Sequence, residues 1–148
     1  MNEELRQESR FGVWDGTVSV TGLIFGLLIH KSPESAIAVG GIGAAISACV
    51  SMATGEFEKG EGPWQERLKV AATMLVATLV GSLVPIWPFF LFSKPVALLV
   101  AAVGCVGVAG WIGWSKRHGL KGYISVYLTL LMAVSLTLAV VSLIPQSI

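Results

Sequence analysis

The chain has 148 residues, of which 54% are hydrophobic and only 13% are charged. A soluble domain usually carries about 25% charged residues, so this chain holds about half the charge that a water-facing surface needs. Composition therefore excludes a water-soluble enzyme domain and a disordered chain. A net charge of +1 gives no basic surface for nucleic acid. Cys49 and Cys105 both lie inside apolar runs, which indicates neither a disulfide framework nor a CxxC metal site. The composition is that of an integral membrane protein.

Five apolar stretches are long enough to cross the bilayer, since a membrane-spanning helix needs about 20 residues. Pro63 fits the first turn of the third helix, and Pro85 and Pro88 are expected to disrupt its end. The loops are short, so residues 1–148 form a single all-α transmembrane domain. The predicted helices cover about 11–29, 35–53, 64–84, 95–114 and 123–144.

The distribution of Lys and Arg predicts the orientation of the chain. Eight of the ten basic residues lie in the N-terminal tail, in the second loop with its flank, and in the fourth loop, whereas Lys31 and Lys94 lie in the remaining loops. Cytoplasmic loops carry an excess of Lys and Arg. We therefore expect a cytoplasmic N-terminus, five spans and a C-terminus on the opposite side.

Asp15 is an acidic residue about one turn inside the first predicted helix. A carboxylate at the centre of a membrane helix costs about 2.5–3.5 kcal/mol, and such residues are usually functional. One alternative is a carboxylate that is simply stabilised by the dipole at the start of the helix. Two observations favour a function: Gly16 leaves one flank of the acid unshielded, and Thr17, Ser19 and Thr21 continue a polar track into the span.

The second predicted helix ends in a run that contains Cys49, Met52 and Glu56. Their spacing of i, i+3 and i+7 puts a thiol, a thioether and a carboxylate on one helical face. Because the first two helices are antiparallel, this end lies on the same side of the membrane as Asp15. A mixed set of carboxylate and sulfur donors suits a divalent transition metal better than calcium or magnesium. By themselves, Cys49 and Met52 are also typical packing residues.

Small residues recur at helix-packing spacings. Such positions allow helix backbones to approach closely, and we expect tight packing and a dimer. The first helix carries the GxxxG pairs Gly12 and Gly16, then Gly22 and Gly26.

Three segments resemble motifs of the vacuolar iron transporter family. FGVWDGTVS at 11–19, followed by GLIFGL at 22–27, resembles its first-helix signature. SMATGEF at 51–57 resembles its second-helix signature, and GSLVPIWPF at 81–89 resembles the proline-bearing end of its third helix. The resemblance extends over nearly the whole chain.

This resemblance implies a homodimeric exporter that moves ferrous iron or a related divalent metal such as manganese out of the cytoplasm in exchange for protons. The metal is then a substrate, and no tightly bound cofactor is implied. Asp15 would bind metal and proton by turns, Met52 would be a thioether ligand, and Glu56 would capture metal at the cytoplasmic mouth.

The sequence also departs from the family pattern. Trp14 stands where the family usually has Asn, Phe57 where it usually has Tyr, and Ala44 and Ala48 occupy positions that are acidic or Met in the family. The long glutamate-rich module of iron-storing members is replaced by a short segment, 56–66. Its glutamates form either a reduced metal entry or a solvated loop, and iron, manganese, cobalt and zinc all stay open as substrates. Possible entry residues are Glu58, Glu61, Glu66 and Cys49.

Two other functions fit the same pattern. A small multidrug-type proton antiporter also carries an early acid in its first helix, usually with four spans and an aromatic-lined pocket, for which Trp14 is the available neighbour. A membrane scaffold without transport activity would make Asp15 incidental. No catalytic motif is present, so we do not expect an enzyme, and we expect a prokaryotic plasma membrane.

Overall fold

The computed structural model describes residues 3–115 and 119–145 and is all-helical over these residues. Five of its helices are long and apolar enough to cross a membrane, and α4 is a single short turn. The structure confirms the predicted fold class, a multi-pass membrane protein with five candidate spans. The helices are α1 (Glu3–Ile29), α2 (Glu34–Lys59), α3 (Trp64–Ile86), α4 (Pro88–Leu91), α5 (Lys94–Ser115) and α6 (Gly119–Val141).

The observed helices extend beyond the predicted spans, mainly at one end of the bundle. α1 begins at Glu3 and α2 continues to Lys59, because the polar residues beyond the apolar runs are good helix formers and continue the helices past the membrane. α6 ends at Val141 rather than near residue 144. Residues 1–2, 116–118 and 146–148 of the predicted domain lie outside the described residues.

Pro85 lies inside α3, so this helix runs two residues further than the sequence predicts. A proline inside a helix cannot donate to the carbonyl four residues earlier, which here belongs to Gly81. The Thr17 hydroxyl of α1 donates to this carbonyl at 3.0 Å. A neighbouring helix thus supplies the hydrogen bond that α3 lacks, as is typical of proline in membrane helices.

α1 is the central helix and packs against α2, α3, α5 and α6. Its closest approach is to α3, where Gly12 and Gly16 face Ala77, Thr78 and Ser82. On the other side of this interface, a side chain at Gly81 would overlap the backbone of Val13. The absence of side chains at these glycines lets the two backbones touch, which is the packing mode of small residues in membranes.

The remaining core lies around α1, and the outer faces of α5 and α6 are apolar. Val20 and Ile24 of α1 pack with Ile37 of α2 and Ile86 of α3 in one buried cluster. Trp14 packs against a second cluster, which contains Ile112 and Val126 of α5 and α6. α6 buries little of its surface and exposes mainly Leu, Ile and Val, as expected of a helix that faces lipid.

The bundle has two distinct ends. We call the end that carries the start of α1 and the α2–α3 turn the amino end. The other end, with the α1–α2 turn and the start of α5, is called the far end. By the distribution of basic residues, the amino end is the predicted cytoplasmic end.

Candidate transport site

Asp15 lies in α1 and is half-buried. Its neighbour Gly16 faces α3, whereas Phe11 and Ser19, one helical turn before and after Asp15, are exposed. Residues four apart lie on one helical face. Asp15 therefore belongs to a strip of α1 that the rest of the bundle leaves partly open.

Glu8 of α1 and Lys59 of α2 both line an open cleft at the amino end, so positions along the two helices can be counted from this end. Seven residues along a helix correspond to about 10 Å and return to nearly the same face. Asp15 lies seven residues after Glu8, and Met52 lies seven residues before Lys59. Because the two helices are antiparallel, this count places Asp15 and Met52 at a similar depth from the amino end.

Glu56 is buried, with 6% of its side chain exposed, and it forms an ion pair with Lys59 at 2.6 Å. The Lys59 side chain is 62% exposed, so the pair lies at the boundary between the bundle and water. The carboxylate is thus held at the amino end by a cation that water can reach. A metal ion arriving at Glu56 has to displace this ammonium group.

The other two residues of the predicted sulfur-bearing face differ in exposure. Cys49 is buried and is a free thiol, whereas Met52 is partly exposed. With Glu56, they follow one face of α2 from the bundle interior to the amino end. Their order along the helix is thiol, thioether and carboxylate.

The α2–α3 turn is compact and carries its glutamates on the outside. Glu58, Glu61 and Glu66 are all exposed. Gly62 has φ of 101°, which glycine adopts at little cost, and Pro63 then precedes α3. The turn presents these carboxylates to solvent, as either of the two predicted roles requires.

Arg67 holds this turn together, a role that the sequence did not indicate. Its Nε and Nη2 atoms both donate to the Phe57 carbonyl, at 2.9 and 2.5 Å, and the guanidinium lies 4.3 Å from the centre of the Phe57 ring. Trp64 packs edge-on against the same ring, with 4.5 Å between ring centres. Phe57 is therefore the central residue of the packing in this turn.

Among residues 3–115 and 119–145, no group of three or more His, Cys, Asp and Glu side chains is close enough to hold a metal ion. Asp15, Glu56 and Cys49 thus do not form a closed cage within the described part of one chain.

The polar track of α1 divides between two environments. Thr17 and Thr21 are buried, and Thr21 contacts the Cys105 thiol at 3.2 Å, whereas Ser19 is exposed. On α3, the buried hydroxyls of Thr78 and Ser82 have no hydrogen-bond partner among the described residues. Thr78 lies three residues before Gly81, and Ser82 follows it directly. The sequence signal that could have identified them is a pair of hydroxyl residues spaced four apart within an apolar run.

A separate cavity of about 260 Å³ lies between α1, α3, α5 and α6. Its walls are almost wholly apolar and include Phe25, Pro85, Cys105 and Tyr127. Asp15 is not among its lining residues. The apolar cavity, whose aromatic lining residues are Phe25 and Tyr127, and the Asp15 carboxylate thus lie in different places in this fold.

A larger open cleft lies at the amino end, with a volume of about 1160 Å³. Arg10 reaches across this end of the bundle and donates to the Ser115 carbonyl at 2.9 Å. The cleft is lined by Lys59, whose ammonium group pairs with Glu56, and by Trp14, whose neighbour in the chain is Asp15. Acidic and basic side chains both contribute to its surface. Its lining includes Glu3, Arg6, Glu8, Arg10, Trp14, Lys59 and Trp114.

Comparisons with protein-family profiles, with curated proteins and with solved structures found no match to this chain.

Proposed function

We propose that this protein is a membrane transporter for a divalent transition metal, of the iron or manganese type, that exports the ion from the cytoplasm in exchange for protons. In this proposal Asp15 binds metal and proton alternately, Met52 is a thioether ligand, and Glu56 captures metal at the amino end. The proposal also adopts the sequence-based orientation, in which the amino end is cytoplasmic, and a prokaryotic plasma membrane as the location.

The observation that carries the proposal is the similar depth of Asp15 and Met52 in two antiparallel helices. Glu8 of α1 and Lys59 of α2 line the same cleft at the amino end, and seven residues further in, on both helices, come the carboxylate and the thioether. A carboxylate with a soft sulfur donor favours a transition metal over calcium and magnesium, which prefer oxygen ligands. The sequence resemblance to the vacuolar iron transporter family supports the same choice.

Competition at one carboxylate couples the two ions. A protonated Asp15 is a poor metal ligand, and a metal-bound Asp15 cannot hold a proton. If the site is open to each side of the membrane in turn, metal leaves where protons are abundant, and a proton returns. Antiport then needs only one titratable ligand.

Glu56 and Lys59 suit the first step of capture. The Lys59 ammonium pairs with the buried Glu56 carboxylate when no metal is present. An arriving divalent cation replaces one positive charge with two at the same carboxylate, so the exchange is electrostatically favourable. The displaced Lys59 side chain is largely exposed and can turn toward water.

We further propose that the transporter is a homodimer. The strip of α1 that carries Asp15 has exposed residues one turn to either side, Phe11 and Ser19. A second copy that covers this strip would bring two carboxylates and two thioethers together. That arrangement supplies additional ligands, which residues 3–115 and 119–145 of a single chain do not bring together.

Transport into proteoliposomes tests the proposal. Purified protein is reconstituted, iron(II), manganese, cobalt, zinc, magnesium and calcium are added one at a time, and lumenal metal and pH are followed together. We expect flux of iron(II) or manganese with an opposite movement of protons. Asp15→Asn should abolish both, and Met52→Leu should reduce flux at least tenfold. The matched control is Met132→Leu, which removes a thioether from an exposed position on α6.

The same measurements distinguish the alternative functions. Efflux of a lipophilic cation that depends on Asp15 but not on Met52 would indicate a multidrug-type antiporter. No flux of any metal or dye through correctly folded wild-type protein would indicate a scaffold. Either result would contradict metal transport.

A further inference from the structure

Two hydrogen bonds tie three elements together at the far end of the bundle. The Glu34 carboxylate, at the start of α2, accepts a hydrogen bond from the backbone N–H of Lys94 at 2.8 Å. The Lys94 ammonium donates to the Ser32 carbonyl, just after α1, at 2.7 Å. The turn between α1 and α2 is thereby attached to the first residue of α5.

The Glu34 carboxylate fits the start of α5 for a physical reason. The first turn of a helix has backbone N–H groups without a partner in the helix, and Lys94 is the first residue of α5. A negative side chain is also stabilised by the helix dipole at this position. Because Pro95 has no N–H, the Lys94 N–H is one of few donors that this turn offers.

The α1–α2 turn, to which Lys94 is bonded, holds Lys31 in a strained backbone conformation. The N–H groups of Lys31 and Ser32 bond to the carbonyls of Leu28 and Leu27, at 3.0 Å each, in the pattern of a Schellman helix end. Lys31 takes the left-handed position, with φ of 55°, where glycine is usual. This conformation costs free energy for a residue other than glycine, so the contacts around Lys31 must stabilise it.

The two ends therefore differ in a way that matters for alternating access. The amino end has an open polar cleft whose lining includes Trp14, the chain neighbour of Asp15, and Lys59, the ion-pair partner of Glu56. At the far end, the α1–α2 turn is fastened to α5. Ser32 follows α1 almost directly, so α1, which carries Asp15, cannot move away from α5 at this end while the Lys94 bond persists.

We propose that Glu34 and Lys94 form a latch that closes the far end of the transport path while the amino end is open. This inference rests on the proposed transport function and adds the residues that control its outer opening. Release of metal at the far end requires both hydrogen bonds to break, which frees α1 and α2 from α5. The latch residues do not bind the ion.

Reversible cross-linking tests the latch. Glu34→Cys and Lys94→Cys are combined with Cys49→Ala and Cys105→Ala, and a short bis-methanethiosulfonate reagent joins the two introduced thiols. We expect cross-linking to lower metal flux at least tenfold and a reductant to restore it. The matched control carries Glu34→Cys alone, and the reagent should leave its flux unchanged. Unchanged flux in the cross-linked protein would overturn the latch.

The test separates failure of the latch from failure of the transport proposal. If wild-type protein moves no metal, the transport proposal fails. The latch is then tested separately, by measuring the distance between α2 and α5. Spin labels at Ser35→Cys and Val96→Cys, both exposed and again without the native cysteines, report the separation of α2 and α5. Glu34→Ala should add a longer-distance population, whereas Glu34→Gln, whose amide oxygen still accepts a hydrogen bond, should not. Identical distance distributions would overturn the latch.

Discussion

The Thr17 hydroxyl of α1 donates a hydrogen bond to the Gly81 carbonyl of α3, with 3.0 Å between the oxygens. Gly81 lies four residues before Pro85, so this is the carbonyl that the proline leaves without its helical partner. The same hydroxyl lies 2.8 Å from the Val13 carbonyl of its own helix. One side chain thus joins α1 to the point where α3 is interrupted.

The first prediction concerns this hydrogen bond. Thr17→Val keeps the shape of the side chain but leaves the Gly81 carbonyl buried without a partner, and we expect the free energy of unfolding to fall by about 1–3 kcal/mol. In a Pro85→Ala background the residue at 85 regains its N–H, so the same substitution should cost about 1 kcal/mol less. A double-mutant cycle on thermal or denaturant unfolding in detergent measures the difference. Equal costs in both backgrounds would show that Thr17 does not serve the proline.

The second prediction concerns the close approach of α1 and α3. A methyl group at Gly16 would overlap the Thr78 carbonyl and lie 2.7 Å from the Ser82 hydroxyl oxygen. Gly16→Ala should therefore destabilise the protein by about 1–3 kcal/mol. Gly43→Ala is the matched control, because a Cβ there meets nothing within 4 Å, and it should be neutral or stabilising by up to about 1 kcal/mol. Similar effects of the two substitutions would contradict the packing described.

The third prediction concerns Lys31. Its left-handed conformation costs an L-residue about 1–2 kcal/mol relative to glycine. Lys31→Gly should raise the free energy of unfolding by about 1 kcal/mol, whereas Lys31→Ala retains the strain and should give no gain. Chemical unfolding of the wild type and the two variants in the same detergent measures this difference. If Lys31→Ala raised the free energy of unfolding as much as Lys31→Gly, the gain would come from loss of the lysine charge and not from relief of strain.

The fourth prediction concerns the Arg67 contacts in the α2–α3 turn. Lysine cannot make two parallel hydrogen bonds to one carbonyl and stack as a flat group on Phe57, so Arg67→Lys should destabilise by about 1–3 kcal/mol. Lys69→Ala, at an exposed position two residues later, should change stability by less than about 0.5 kcal/mol. Proteolysis at the turn gives an independent measure, and it should accelerate only in the Arg67 variant.

The fifth prediction concerns the ion pair of Glu56 and Lys59. Lys59→Met removes the cation that competes with metal, so the KM for metal uptake should fall several-fold. Stability should drop by about 1–3 kcal/mol: the exposed ammonium contributes little because it is screened by water, but the buried Glu56 carboxylate loses its partner. Lys59→Arg keeps the charge and serves as the control. A raised KM in the methionine variant would mean that Lys59 assists capture instead of competing with it.

The predictability of the site varied from residue to residue. The i, i+3, i+7 spacing put Cys49, Met52 and Glu56 on one face of α2, since helical periodicity is a local property of the chain. The ammonium that pairs with Glu56 is local as well, because Lys59 lies three residues later on the same helix. Other contacts are not local: the Cys105 thiol beside Thr21 comes from a helix 84 residues away, and the Phe57 ring meets Arg67 across the α2–α3 turn. The hydrogen bond between the Glu34 carboxylate and the Lys94 N–H of α5 joins residues 60 positions apart. No pattern in the sequence predicts it.

Hydropathy and length by themselves determined that this chain crosses a membrane five times as helices, because a bilayer demands about 20 apolar residues per span and satisfies no backbone group outside a helix. Only the tertiary structure decided that α1 lies at the centre, that α3 continues through Pro85 and that the two ends of the bundle are fastened differently. Those outcomes depend on which glycines meet which carbonyls across an interface. Such contacts are set by the shapes of both partners together, and neither helix encodes them separately.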